Sequence, residues 1–121
     1  MDWWQRAQSR GFFITAVTAA ELRVGVATMP PGRRARDLSD RIETMLAVGF
    51  GDRILPFEEA ASSHFAEVVA IRRRLGRPVL AFDALIAAIA RSHGATLATR
   101  NTRDFDGCGL DLVNPFDVQE P

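Results

Sequence analysis

Glu21, Asp83 and Asp104 are the residues of this sequence best placed to do chemistry. Each falls just after an expected strand or at an expected helix start, and in an open α/β sheet those are the places where loops and helix N-termini gather around ligands. Three carboxylates brought together repel one another unless a hard cation joins them. Mg2+ or Mn2+ takes such oxygen donors in octahedral geometry. A cation held this way lowers the pKa of a bound water and stabilises charge on a phosphodiester during in-line attack. The chemistry in view is therefore hydrolysis of RNA or DNA without a protein nucleophile. No rival nucleophile motif exists, since the sequence has no G-x-S-x-G, no Walker loop and no G-x-G-x-x-G.

Structural roles are open to the same acids. Glu21 fits a capping box as the N3 partner of Thr18, Asp83 fits an N-cap or first-turn acid, and Asp104 fits the anchor of an Asx-type turn. Spacing alone does not choose between the two sets of roles. His64 lies in an apolar helical pattern and His93 in a last turn, which points to core or dipole roles. Cys108 reads as a small packed residue beside the final strand, and the Arg72 to Arg77 cluster as a solvated helix end, with RNA contact as its alternative.

The positioning elements centre on Ala81 to Phe105, AFDALIAAIARSHGATLATRNTRDF. A buried helix is expected to open on Asp83 and stop at Gly94, followed by an apolar strand from Thr96 to Thr99 and a polar loop carrying Asp104. Upstream, residues 2–10 predict the last turns of a helix, with Trp3, Trp4 and Ala7 on one side, and Gly11 ends it. Phe12 to Val17 predicts a strand buried on both faces, as in a parallel sheet. Helices are expected from Thr18 to about Met29, from Arg33 to Ala47 and from Glu58 to Leu75, with a short strand before Pro56 and a last one from about Leu110 to Val113. Helices thus stand between most strands, which predicts a three-layer α/β/α sandwich with a parallel sheet.

A chain of 121 residues makes one domain, taken here as residues 1–121. Hydrophobic content of 47% beside 25% charged residues is ordinary for a soluble globular chain. No apolar run approaches the ~20 residues of a membrane helix, and MDWWQRAQ does not read as a secretory signal, so a cytoplasmic location without membrane attachment is expected. Cys108 is the single cysteine, which excludes an internal disulfide. Zero net charge argues against binding nucleic acid by bulk electrostatics. All fifteen basic residues are Arg, a bias that suits phosphate but is also produced by genomic base composition.

ITAVTAAELRVGVATMPPGRR, ILPFEEAAS and GRPVLAFDALIAAIARSHGATLATRNTRDFDGCGLDLVNPF together resemble the PIN-domain ribonucleases that form the toxin half of VapBC-type toxin-antitoxin pairs. The resemblance runs through several separate motifs and covers nearly the whole chain. It places the family's second acid on Glu21, its third on Asp83 and its last on Asp104. It implies Mg2+-dependent (or Mn2+-dependent) cleavage of RNA, a cognate VapB-type antitoxin whose tail covers the acidic pocket, and toxin homodimers. Substrate contacts are then expected from Thr99, Arg100 and Asn101 in the loop leading to Asp104.

Members of that family begin with a short apolar strand ending in Asp, in an L-D-T-N pattern, followed by a helix. Here MDWWQRAQ resembles the end of that helix, and Asp2 belongs by position to the helix. The first strand and first acid are therefore expected to be missing, making the PIN-like domain incomplete at its N-terminus, with Met1 an internal methionine of a longer protein. Two other readings remain open from the sequence. One is a non-catalytic or weakened module that binds an antitoxin or another toxin copy; the other is a flavodoxin-like or receiver-type domain, disfavoured by the lack of a phosphate-binding Gly loop.

Overall fold

The computed structural model describes residues 13–99 and 101–113. The helix expected over residues 2–10, together with Gly11, Phe12 and Arg100, lies outside the described residues. Within them the elements run strand, helix, helix, strand, helix, helix, strand, strand. This is the alternation the sequence predicts, and a π-helical segment and a 3-10 turn are added to it. Two compact units, Met1–Pro56 and Phe57–Pro121, divide the chain.

The first unit holds β1 (Ile14–Thr15), α1 (Ala16–Ala27), α2 (Arg33–Thr44), a π-helical segment (Met45–Phe50) and β2 (Ile54–Leu55). β1 and β2 pair in parallel, Ile14 opposite Ile54 and Thr15 opposite Leu55. The strand expected to reach Val17 ends at Thr15 because that residue caps a helix. Its backbone is extended (φ −88°, ψ 155°) and its Oγ1 accepts the Thr18 amide at 3.0 Å. The capping box expected from Thr18 and Glu21 is therefore corrected. Thr15 is the N-cap, Thr18 is N3, and Glu21 lies more than a turn inside α1.

α2 gives way to the π-helical segment, where Leu46 and Phe50 are buried. The amide of Gly51 donates to the Leu46 carbonyl at 3.0 Å, five residues back, which is the π spacing. Gly51 adopts φ 58°, a left-handed turn that releases the chain into β2. The helix predicted to Ala47 thus changes pitch at Met45 rather than stopping. Arg23 on α1 grips Glu43 on α2 through two bonds of 2.9 and 2.8 Å, an exposed pair that water screens.

The second unit holds α3 (Glu59–Arg74), α4 (Ala81–Ser92), β3 (Leu97–Ala98), a 3-10 turn (Thr102–Phe105) and β4 (Leu112–Val113). α4 is its centre. Ala84 and every residue from Ile86 to Ala90 are buried, and the small alanines let α3 approach closely. Full burial of an aliphatic side chain such as Ile89 contributes roughly 1.5–3 kcal/mol. From α3 come Ala61, Val68 and Arg72, spaced by seven and four along one helical face.

Gly94, at φ 61°, closes α4, and the chain enters β3. β3 pairs in parallel with β4, Leu97 opposite Leu112 and Ala98 opposite Val113. The crossover between them carries the 3-10 turn, anchored inward by buried Phe105 and Cys108. Both strand pairs are parallel and joined through helical or 3-10 crossovers, so the α/β class stands.

Candidate functional site

Asp83 is the third residue of α4. Leu80 occupies the N-cap position with an extended backbone and no side-chain cap, so the N-cap reading of Asp83 is corrected and the first-turn reading holds. The carboxyl is partly buried, and that burial pushes its pKa above the usual carboxylate value. The negative charge of Asp104 pushes it further the same way, while the guanidinium of Arg72 acts in the opposite sense. Asp83 and Asp104 are thus an interacting pair, brought together from a helix start and a strand-end turn.

Asp104 is exposed in the 3-10 turn, its amide donating to the Asn101 carbonyl at 3.0 Å. The Asx-type anchor expected of it is corrected: the side chain that ties this loop is Thr99, whose Oγ1 accepts the Asn101 amide at 3.0 Å. Asn101 itself stands exposed at the start of the turn. Glu21 is exposed on α1 in the first unit and, as shown above, plays no capping-box role. Among the described residues no group of three or more His, Cys, Asp or Glu side chains is gathered so as to hold a metal ion. A groove on α2, lined by Arg33, Arg34, Asp37, Leu38 and Arg41, contains none of the three candidate acids.

The residue missed by sequence reasoning is Arg72. Expected in a solvated helix end, it is only 6% exposed. Its Nε donates to the Arg77 carbonyl at 2.7 Å, and its Nη1 donates to the Asp106 carbonyl at 2.7 Å and the Arg103 carbonyl at 3.4 Å. The signal was present in the spacing, because Arg72 continues the Ala61 and Val68 face whereas Arg73 and Arg74 do not. Arg77 adds a second tie from the same segment, its Nη2 lying 3.2 Å from Asp106 Oδ2.

Cys108 is fully buried, as the packed-residue reading expects, and burial pushes its thiol pKa up, which keeps it protonated and poorly nucleophilic. His93 is the exposed C-cap residue of α4. His64 is half-buried on α3 with its Nδ1 unpartnered among the described residues.

Fold and site together define an α/β protein with parallel strand pairs, an acid at a helix start and a second acid in the turn after a strand. A model of the PIN domain matches residues 1–107, and the chain belongs to the PIN domain family. It is 38% identical over 118 residues to the plasmid stability protein StbB of Pseudomonas syringae pv. tomato, covering 98% of this chain and 85% of that one. It is 36% identical over 117 residues to the VapC ribonuclease Y4jK of Sinorhizobium fredii, covering 97% and 84%. Among solved structures, FitAcB from Neisseria gonorrhoeae superposes with a TM-score of 0.83 at 34% identity, covering 90% of this chain and 78% of that one. A structure of FitAB bound to a DNA fragment gives 0.84 at 32% identity, covering 92% and 78%.

Proposed function

We propose that the chain is the ribonuclease toxin of a toxin-antitoxin pair, cleaving RNA with the help of Mg2+ or Mn2+ held by Glu21, Asp83 and Asp104. The observation that carries this reading is membership of the PIN family with 36% identity to a VapC ribonuclease, in a chain whose partly buried Asp83 has its pKa raised by burial and then by the charge of Asp104. The carboxylates of Asp83 and Asp104 are oxygen donors of the kind a hard cation prefers. Glu21 joins them by its match to the family motif. Once bound, the ion supplies a water of lowered pKa and neutralises charge on the phosphodiester.

The remaining work belongs to side chains. Asp83 and Asp104 would present their oxygens, and the bond from the Asp104 amide to the Asn101 carbonyl holds Asp104 in the 3-10 turn that follows β3. Thr99 and Asn101 stand between β3 and the 3-10 turn that carries Asp104; they and Arg100, which lies outside the described residues, are assigned to RNA contact, with the Arg fork suited to phosphate. The reaction assigned is hydrolysis by water, in which the water oxygen bonds to phosphorus, the bond from phosphorus to the ribose oxygen breaks, and that oxygen takes up a proton released by the water.

The reading extends to partners. Similarity to FitAcB and to FitAB supports a cognate antitoxin of the VapB type and a toxin homodimer. The chain would act as one PIN-like domain in the cytoplasm, where its RNA is found; no described helix is long and apolar enough to cross a membrane. The test is cleavage of RNA by the purified chain with Mg2+, with EDTA and with Asp83→Asn. Cleavage abolished by chelator and reduced at least 100-fold by the substitution is the expected result. Activity indifferent to both would refute the assignment.

A further inference from the structure

We infer that Arg72 is a positioning residue for the acidic centre, clamping the loop that carries Asp104 to the segment that leads into the Asp83 helix. The inference rests on the reading of Asp83 and Asp104 as ligands of a divalent ion. Its starting point is geometric. One buried guanidinium spans two chain segments, donating to Arg77, just after α3, and to Arg103 and Asp106, on either side of the Asp104 and Phe105 pair.

A buried cation is costly unless it is hydrogen-bonded and compensated. Among the described residues Arg72 makes no ion pair; its bonds go to backbone carbonyls, and the carboxylate whose charge it moderates is Asp83. Its planar fork lets Nε and Nη1 satisfy two carbonyls in fixed relative directions, which a lysine ammonium cannot reproduce. Flanked by the two donated bonds at Arg103 and Asp106, the exposed turn around Asp104 has little freedom to swing away from Asp83. Arg77 reinforces the tie through the Asp106 side chain.

Two effects of Arg72 on cation binding run in opposite senses. Its positive charge near the acids opposes a bound cation, so removing charge alone would tighten binding. Its clamp aligns the acids, so removing the clamp weakens binding. A loss of affinity on substitution therefore reports positioning.

The test compares Arg72→Met, Arg72→Lys and, as a control, the exposed neighbour Arg73→Met in the full chain. Mn2+ affinity is measured by calorimetric titration well below each melting temperature, with amide hydrogen exchange as the second readout. We expect Arg72→Met and Arg72→Lys to bind Mn2+ 10- to 100-fold more weakly, the range typical of residues that orient metal ligands. We also expect amide exchange over residues 103–107 to quicken at least tenfold, with the buried amides of α4 unchanged. Arg73→Met should match the wild type in both.

Unchanged or tighter Mn2+ binding by folded Arg72 variants would overturn the inference, and so would faster exchange spread evenly through the second unit. If Arg72→Met does not fold, Arg72→Lys carries the comparison. Failure of both to fold would show a support of the whole unit and would equally overturn the local role. Should the wild-type chain bind no Mn2+, the metal reading fails, and exchange at 103–107 still decides whether Arg72 clamps the loop.

Discussion

Asp83, partly buried at the start of α4, is made harder to ionise first by that burial and then by the negative charge of Asp104 in the 3-10 turn. Both causes disfavour the charged form of Asp83 in the folded state.

The penalty on charged Asp83 has a measurable sign. Asp83 titrates higher in the folded chain than unfolded. Its contribution to stability is fully present below the unfolded carboxylate pKa, about 3.9, and is lost as pH rises through the folded value. Asp83→Asn should therefore stabilise the metal-free chain at neutral pH. The gain should be less than about 1 kcal/mol after solvent screening, and absent near pH 3. Urea unfolding at the two pH values checks this, and a variant less stable than wild type at neutral pH would contradict it.

Divalent cations should reverse that order. At Mn2+ concentrations 100-fold above the dissociation constant, the wild-type chain should gain about 2.7 kcal/mol of stability by mass action. Asp83→Asn and Asp104→Asn should gain much less. Thermal melting with and without Mn2+ reads the difference directly.

The position of the α1 cap gives an independent check on the first unit. Thr15→Ala removes the oxygen that accepts the Thr18 amide and should cost about 1–2 kcal/mol. Thr18→Ala loses a hydroxyl bonded to Thr15 Oγ1 at 2.9 Å and should cost less than half as much. The reverse order, measured by chemical denaturation, would restore the capping box.

Gly107 and Gly109 share φ 77°, yet they differ in surroundings. A Cβ at Gly107 would meet Leu75 Cδ1 at 2.7 Å, whereas at Gly109 the nearest atom is the Arg91 guanidinium carbon at 3.5 Å. Gly109→Ala should cost about 1 kcal/mol of backbone strain, and Gly107→Ala should cost at least about 1 kcal/mol more. Equal losses would show that Leu75 yields freely.

Much of this was legible in the residues. The α4 run of alanine and isoleucine announced a buried helix, Gly94 its end, and the alternation of elements the parallel α/β class. Asp83 was readable as a helix-start acid and Asp104 as an acid in the loop after a strand, and those are the places they occupy. Local competition was not readable. Thr15 and Thr18 offer equivalent caps, and only the end of the β1 pairing with β2 selects Thr15. The π-helical segment depends on burying Leu46 and Phe50 together, which residue spacing does not reveal. Arg72 was hidden by its neighbours, since three consecutive arginines look alike until the face shared with Val68 turns one of them inward.

The proposed function has Glu21, Asp83 and Asp104 bind one divalent ion. Paramagnetic broadening of backbone amide signals by sub-stoichiometric Mn2+ tests it most directly. The expected result is that the signals of Glu21, Asp83 and Asp104 broaden together at the lowest Mn2+ additions and recover together when EDTA is added. Broadening confined to Asp83 and Asp104, with Glu21 sharp, would remove Glu21 from the centre, and no selective broadening at any of the three would contradict the account.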